Sequence, residues 1–294
     1  MTALSSYSPP PEAQSVEAAT STSLRREVAT STARVLGRGL LMFAVTLVVV
    51  TVLWQVLLWA FGVNAYVGKG PADIWAFLVT APAAPENRDL LLGRLWVTLG
   101  HAFIGFAAGL VVALAAAILF QLNRGVEHAL MPLAMLLRSV PLVAMAPVIT
   151  LVFGRDLWTV AVIGGIVVLF PALVNIVFGL RSASPQMTDV VHVYGGSAFT
   201  ALRKVALPSS LPAFFAAVRI SVPGAITGAL LAEWLATSDG IGGGIGPAIS
   251  QSKFPEVWAS VVLVTAAALI LYNLMQVIED VALTRMGMHP LKNV

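Results

Sequence analysis

The stretch LWTVAVIGGIVVLFPALVNIVFGL, residues 157–180, carries no charged side chain at any position. A helix of about 20 mainly apolar residues is long enough to cross the roughly 30 Å hydrocarbon core of a bilayer. The run is too long for one strand of a membrane β-barrel, and it lacks the alternation of polar and apolar residues that such strands show. The stretch therefore predicts a transmembrane α-helix.

Five further apolar runs of similar length flank this stretch. They cover residues 39–62, 95–121, 130–153, 211–236 and 257–283. Hydrophobic residues make up 58% of the chain and charged residues 11%, whereas a soluble domain is about one-quarter charged. Mean hydropathy is +0.89. We therefore predict an all-α polytopic membrane protein with about six transmembrane helices.

Composition also excludes other classes of protein. The formal net charge is +3, but the basic residues do not form the clustered stripe of a nucleic-acid-binding face. Cysteine is absent, which excludes a disulfide framework and a thiolate metal site. No motif predicts a metal or cofactor bound by this chain. Residues 1–36 are rich in Ser, Thr, Ala and Pro and are typical of a disordered cytoplasmic tail, which leaves 37–294 as the transmembrane domain.

Basic residues predict the orientation, because cytoplasmic loops carry an excess of Lys and Arg. With both termini inside, ten basic residues lie on the cytoplasmic side and five lie on the opposite side. The cytoplasmic residues are Arg25, Arg26, Arg34, Arg38, Arg124, Arg181, Arg203, Lys204, Arg285 and Lys292, and the opposite ones are Lys69, Arg88, Arg94, Arg155 and Lys253. Most tryptophans fall near outer helix ends in this arrangement, as interfacial rings should. We predict that both termini are cytoplasmic.

Two connectors on the predicted outer side have distinct patterns. Residues 71–79, PADIWAFLV, predict a short amphipathic helix at the surface. Residues 239–247 contain five glycines and predict a flexible or re-entrant external loop, since a phosphate-binding loop would need a preceding strand. Within the spans, Gly105-xxx-Gly109 and Gly224-xxx-Gly228 place small residues on one helix face and predict close packing between helices.

The connector from Ser182 to Pro212 is too polar to cross the membrane, but its pattern predicts two short helices. Residues 189–194 can form a helical turn, and Gly195-Gly196 interrupts it. Ser197 then stands where an N-cap is expected, before a second helix over 198–206. The predicted geometry is a helix, a glycine turn and another helix.

This connector resembles the cytoplasmic EAA loop of binding-protein-dependent ABC importer permeases. That loop reads Glu-Ala-Ala, three residues, Gly, and about a dozen residues to Leu-Pro. Here Asp189-Val190-Val191 stands at the first position, Gly195 at the glycine and Leu207-Pro208 at the closing pair. The spacing and the acidic charge are kept, but both alanines are replaced. Leu207-Pro208 is expected to end the unit, and Leu211-Pro212 to begin the next span.

The resemblance extends over roughly residues 65 to 285. Leu137-Arg138-Ser139-Val140-Pro141 and Leu231-Ala232-Glu233-Trp234-Leu235 are similar to the nitrate, sulfonate and taurine branch of these permeases, which also includes permeases for thiamine-type pyrimidines. The resemblance implies the type I ABC importer permease fold. It also implies a substrate that is an organosulfonate, taurine or nitrate-like anion, or a pyrimidine-type vitamin precursor.

The resemblance further implies a set of partners. Segment 182–210 would couple to a separate cytoplasmic ATPase, with Gly196, Ser197, Ala198 and Phe199 beside the motif positions. ATP and Mg²⁺ would be bound by that ATPase, because this chain has no Gly-xxxx-Gly-Lys-Ser/Thr motif. The permease would form a homodimer with two ATPase subunits and would receive solute from an extracytoplasmic binding protein. Its location would be the cytoplasmic (inner) membrane of a prokaryote.

Ionisable residues inside predicted spans are candidates for the translocation pathway, because they are costly in a bilayer and commonly functional. The ionisable candidates are Arg138, Arg219 and Glu233, and the same spans add Ser139, Pro141 and Thr227 to the candidate set. The two arginines could instead bind backbone carbonyls freed by Pro141 and Pro223 or reach lipid headgroups. Glu233 could equally anchor the glycine-rich loop. Pro141 and Pro147 are expected to kink the third span.

Two other functions are compatible with six spans. A stand-alone secondary transporter would usually show internal repeats and paired acidic groups in its spans, and Glu233 is the only carboxylate that we place clearly inside one. An intramembrane protease would need a nucleophile and a base at one depth, and no Gly-x-Ser-x-Gly motif occurs. The ABC permease is the preferred hypothesis.

Overall fold

A computed structural model describes residues 45–288 of the chain. Two compact units are distinguished, one ending at Pro71 and the other beginning at Ala72. The first contains helix α1, Val45–Ala60, followed by turns. Predicted span 39–62 therefore lies partly outside the described residues, and the predicted tail 1–36 lies wholly outside them.

The second unit is helical throughout its described part and has no strand there. Its first helix, α2, covers Pro71–Thr80, where the sequence predicts a short amphipathic helix. The remaining helices are α3 Ala84–Leu122, α4 Arg124–Ser139, α5 Leu142–Phe153, α6 Leu157–Arg181, α7 Pro185–Val193, α8 Ala198–Thr237, α9 Gly240–Ser250 and α10 Phe254–Arg285.

Four helices in the described part, α3, α6, α8 and α10, are long and apolar enough to cross a membrane. The bent pair α4 and α5 makes a fifth if it is counted as one span. The predicted all-α membrane fold is confirmed. The hydropathy pattern underestimates the length of one helix, because α3 begins at Ala84 whereas the predicted span begins at residue 95.

The centre of the unit is the packing of α3, α6 and α8 around glycines. A Cβ at Gly105 would lie 2.7 Å from the Cα of Gly164, and one at Gly228 would lie 2.8 Å from that same atom. A Cβ at Gly109 would lie 2.7 Å from the carbonyl oxygen of Gly165. Because no side chain fits there, the three backbones approach each other directly, as expected for helix association in lipid.

The predicted span over 130–153 consists of two helices, with a sharp break at Pro141 where a kink is expected. The chain leaves α4 after Ser139 and enters α5 at Leu142, and the two helices are bent by 105°. Pro141 causes the break because its ring has no N–H for the carbonyl of Leu137 and disfavours the helical conformation of the residue before it. Pro147, also expected to kink the span, lies inside α5 instead.

The predicted separation between the polar connector and the span at 211–236 is wrong. A single helix, α8, runs from Ala198 to Thr237, so Leu207-Pro208 does not end a unit. A wider π-helical turn at Leu202–Ala206 precedes Pro208. Such turns help to accommodate prolines within membrane helices, which explains why the proline signal failed as a helix stop.

The glycine-rich segment at 239–247 is helical rather than a flexible loop. It forms most of α9, and its residues from Gly240 to Gly244 are buried. Gly240 has φ of +62°, a conformation that glycine adopts without steric cost. Its glycines let α9 approach the end of α8 closely.

Candidate functional site

The connector between α6 and α8 forms an exposed helix pair. Helix α7 ends at Val193, and Gly195 turns the chain with φ of +78°. A Cβ at Gly196 would lie 2.5 Å from the Val191 Cγ1 atom. Both positions therefore favour glycine, Gly195 for its backbone conformation and Gly196 for lack of space. Ser197 caps α8, since its Oγ accepts a hydrogen bond from the Thr200 amide at 3.3 Å. This is the local geometry that the sequence predicts.

This helix pair presents large apolar side chains to its surroundings. Val193 is 84% exposed and Tyr194 is 87% exposed, which are among the highest values for apolar side chains in the described chain. The complete set, which we name the connector patch, is Met187, Val190, Val193, Tyr194 and Phe199. Several large exposed apolar side chains on one short segment are typical of an interaction site. Asp189 is also exposed.

The connector is joined firmly to the transmembrane core. Leu202 and Ala206, in the first turns of α8, are buried in the main hydrophobic cluster. Arg181, at the end of α6, forms an ion pair with Glu127 of α4. One helix, α8, therefore runs from the connector at Ala198 into the core, where it packs on α3 and α6.

The opposite end of α8 is fixed by a buried polar network around Glu233. The Oε2 atom of Glu233 accepts hydrogen bonds from Thr98 Oγ1 at 2.9 Å and from the Gly242 amide at 2.8 Å. Its Oε1 atom lies 2.9 Å from His101 Nδ1. Thr98 Oγ1 also accepts a hydrogen bond from the Ile241 amide at 2.9 Å. Glu233, which is 0% exposed, therefore joins α3, α8 and α9.

Glycines in α9 make room for this network. A Cβ at Gly240 would lie 2.3 Å from Glu233 Oε1, and one at Gly244 would lie 2.5 Å from Arg94 Nη1. Arg94 donates a hydrogen bond of 2.6 Å to Glu256 of α10. The side chains of Glu233 and Arg94 therefore occupy the space that side chains at Gly240 and Gly244 would need.

Arg219 lies in the middle of α8 and faces α10. Its Nε atom is 3.2 Å from Glu279 Oε2, and its guanidinium carbon is 5.7 Å from the centre of the Tyr272 ring. Glu279 is 1% exposed. Because Glu279 lies inside the predicted span 257–283, Glu233 is not the only carboxylate within a span, and that prediction is corrected.

Arg138 lies at the break between α4 and α5. Its guanidinium carbon is 4.8 Å from the centre of the Phe170 ring of α6. An open cleft of about 590 Å³ surrounds it, with Ser139, Pro141 and Asn175 also in the lining. The Ser139 hydroxyl donates to the Leu136 carbonyl at 2.8 Å.

The candidate pathway residues thus separate into groups. Arg138, Ser139 and Pro141 line one cleft, whereas Arg219, Thr227 and Glu233 are not in its lining. Thr227 is exposed and donates to the Pro223 carbonyl at 2.9 Å. The three candidates in the cleft are neighbours in the sequence. The fold does not bring any of the other three candidates into that lining.

The fold and these sites define a helical membrane transport permease, with an exposed helix pair that continues directly into its transmembrane core. The chain belongs to the family of binding-protein-dependent transport system inner membrane components, whose model matches residues 105–287. The family predicted from the connector motif is confirmed.

Relatives and solved structures agree with this assignment. Formylaminopyrimidine transport permease protein ThiX of Halalkalibacterium halodurans is 28% identical over 197 residues, which are 67% of this chain and 79% of that protein. Putative aliphatic sulfonates transport permease protein SsuC of Bacillus subtilis is 28% identical over 226 residues, 77% of this chain and 79% of that protein. An inward-facing structure of the MetNI methionine ABC transporter matches with a TM-score of 0.53 and 21% identity, covering 66% of this chain and 95% of that one. The fold is that of an ABC importer permease.

Proposed function

We propose that this chain is the membrane subunit of an ATP-driven importer that moves a small solute across the cytoplasmic membrane by alternating access. The observation that carries this proposal is the connector patch at the exposed end of α8. The family membership supports a transport role, and the geometry of α8 supports the way in which a motor acts on it.

The connector patch is the docking surface for a separate cytoplasmic ATPase. Apolar side chains such as Val193 and Tyr194, surrounded by polar residues including Asp189, fit a groove on a soluble partner better than a lipid surface. ATP and Mg²⁺ bind to that ATPase. When it closes on ATP, it displaces α7 and the start of α8 together, which favours one of two arrangements of the core.

The assembly contains further partners. A second copy of this chain completes the translocation pathway, two ATPase subunits bind the connector patches, and an extracytoplasmic binding protein delivers the solute. Both termini are cytoplasmic, as the distribution of basic residues favours. The solute is an organosulfonate, taurine or nitrate-like anion or a pyrimidine-type vitamin precursor, and the similarity to a formylaminopyrimidine permease and to a sulfonate permease supports both classes.

Co-purification with the ATPase tests this function. Val193→Asp places a charge at the centre of the connector patch and should reduce recovery of the ATPase at least tenfold, since burying an unpaired charge is costly. Ser250→Asp, at an exposed position on α9, adds the same charge elsewhere and should leave recovery unchanged. Solute uptake by this chain alone in ATP-free vesicles would overturn the proposal.

A further inference from the structure

The break between α4 and α5 places an arginine at an unusual depth. Phe170, on which Arg138 stacks, lies in the middle of α6. At 1.5 Å rise per residue, it is ~20 Å from Leu157 at one end of that helix and ~17 Å from Arg181 at the other. Arg138 is therefore near mid-depth in a membrane-spanning structure.

The charge of Arg138 lacks an acidic partner. Across residues 45–288 no carboxylate lies within ion-pair distance of its guanidinium. Arg219 provides the contrast, because Glu279 lies 3.2 Å away from it. A charged side chain at such depth almost always faces a bundle interior or a water-filled cavity, where it meets a partner or a transported species.

The backbone around Arg138 favours the same interpretation. The backbone leaves the helical conformation at Val140 and Pro141, where ψ is 127° and 118°, and non-helical backbone at membrane depth is tolerated only in protein or beside water. The cleft of about 590 Å³ opens beside this break. Its volume is sufficient for a small organic solute.

We propose that this cleft binds the anionic group of the transported solute, an oxyanion such as a sulfonate, carboxylate or nitrate, with Arg138 as its charge partner. The inference rests on the proposed transport function and adds to it the cleft and the residue that would recognise an anionic solute. The planar guanidinium, stacked on Phe170, presents donors that match two oxygens of an oxyanion. A lipid phosphate has the same chemistry, so the experiment must distinguish the two sources.

A single thiol at Ser139 reports on this cleft without knowledge of the solute. The chain has no cysteine, and Ser139 is exposed beside Arg138. Ser139→Cys permease, purified with its ATPase in phosphatidylcholine nanodiscs, is reacted with a sulfonate-bearing and with a trimethylammonium-bearing methanethiosulfonate. The ratio of the two rates measures the local charge.

The expected result is that Arg138→Gln lowers the anionic-to-cationic rate ratio about fivefold. Arg138→Lys should keep most of the preference. Arg155→Gln, which removes an exposed charge at the other end of α5, should leave the ratio unchanged. Added ethanesulfonate or nitrate should slow the reaction when Arg138 is present and have no effect on Arg138→Gln.

Other outcomes overturn the inference. Equal ratios with and without Arg138 would show that its charge does not act on the cleft. Protection by phosphatidylglycerol nanodiscs but not by soluble anions would assign Arg138 to a lipid headgroup, and a thiol unreactive toward both reagents would show that the cleft is closed to water. Binding of the ATPase is measured in the same preparations, so loss of that binding tests the proposed function separately.

Discussion

The two ends of α8 differ in how they are held. At one end Glu233 is fully buried and bonded to groups on α3 and α9. At the other end the connector patch is exposed, and Tyr194 is 87% accessible. A helix that is held by a buried network at one end and carries an exposed surface at the other is suited to receive a displacement at the exposed surface and transmit it along its length. The difference predicts that substitutions act on stability at one end and on partner binding at the other.

Glu233→Ala should have the largest effect on stability. The substitution leaves Thr98, His101 and the Gly242 amide without their shared acceptor in a buried site. We expect a loss of about 4 kcal/mol in the free energy of unfolding, because each unsatisfied buried group costs roughly 1–3 kcal/mol. The measurement is unfolding in mixed micelles against the mole fraction of dodecyl sulfate, followed by circular dichroism.

The matched control is Glu86→Ala, which removes an exposed carboxylate near the start of α3. That change should cost no more than about 1 kcal/mol, the limit of a helix-end charge at an exposed site. Equal losses for the two variants would show that the Glu233 network does not hold α8.

Arg219→Ala should come next, at about 3 kcal/mol, because it leaves Glu279 buried without its partner. The pair joins the middle of α8 to α10 at 3.2 Å. Since replacing both partners by apolar groups can be nearly neutral, the double variant Arg219→Leu with Glu279→Leu should recover most of the loss. A double-mutant cycle measures this coupling, and strictly additive losses would contradict it.

Much of this architecture could be predicted from the sequence. The features that could not be predicted share one physical cause, which is contact between residues far apart in the chain. Local signals, such as apolar run length and the positive φ of Gly195, depend on neighbouring residues only. The Thr98 and Glu233 contact joins residues 135 positions apart, and no local pattern encodes it. The glycines of α9 were therefore interpreted as flexibility, although they make space for a carboxylate from another helix.

The same limit explains why a helix end is misplaced at Leu207-Pro208, although the kink expected at Pro141 occurs. Pro141 and Pro208 have the same local chemistry, yet the chain bends by 105° near the first and continues as a helix through the second. A π-helical turn before Pro208 and burial of Leu202 and Ala206 in the core stabilise the continuous helix. Tertiary packing, which no local sequence pattern encodes, decides whether the helix breaks at a proline or continues through it.

Gly164→Ala should destabilise the permease by about 2 kcal/mol, a typical cost of overpacking. Its Cβ would lie 2.8 Å from the Gly105 Cα atom, and backbone cannot move away as a side chain can. Gly100→Ala is the control, since nothing lies within 4 Å of a Cβ there. A loss at Gly100 as large as that at Gly164 would show that the effect arises from something other than this contact.

Gly195→Ala should have the smallest effect on stability and the clearest effect on coupling. With φ of +78° and open space around its Cβ position, the substitution should cost about 1 kcal/mol, the penalty for an L-residue in the left-handed region. The permease should remain folded, but the angle between α7 and α8 should change, so that stimulation of the ATPase by solute-loaded binding protein falls several-fold. In Gly196→Ala the new Cβ would clash with Val191, so this variant should also be less stable. If Gly195→Ala retained full stimulation, the turn would be only a connection, and the displacement would have to reach α8 through Phe199 and its neighbours alone.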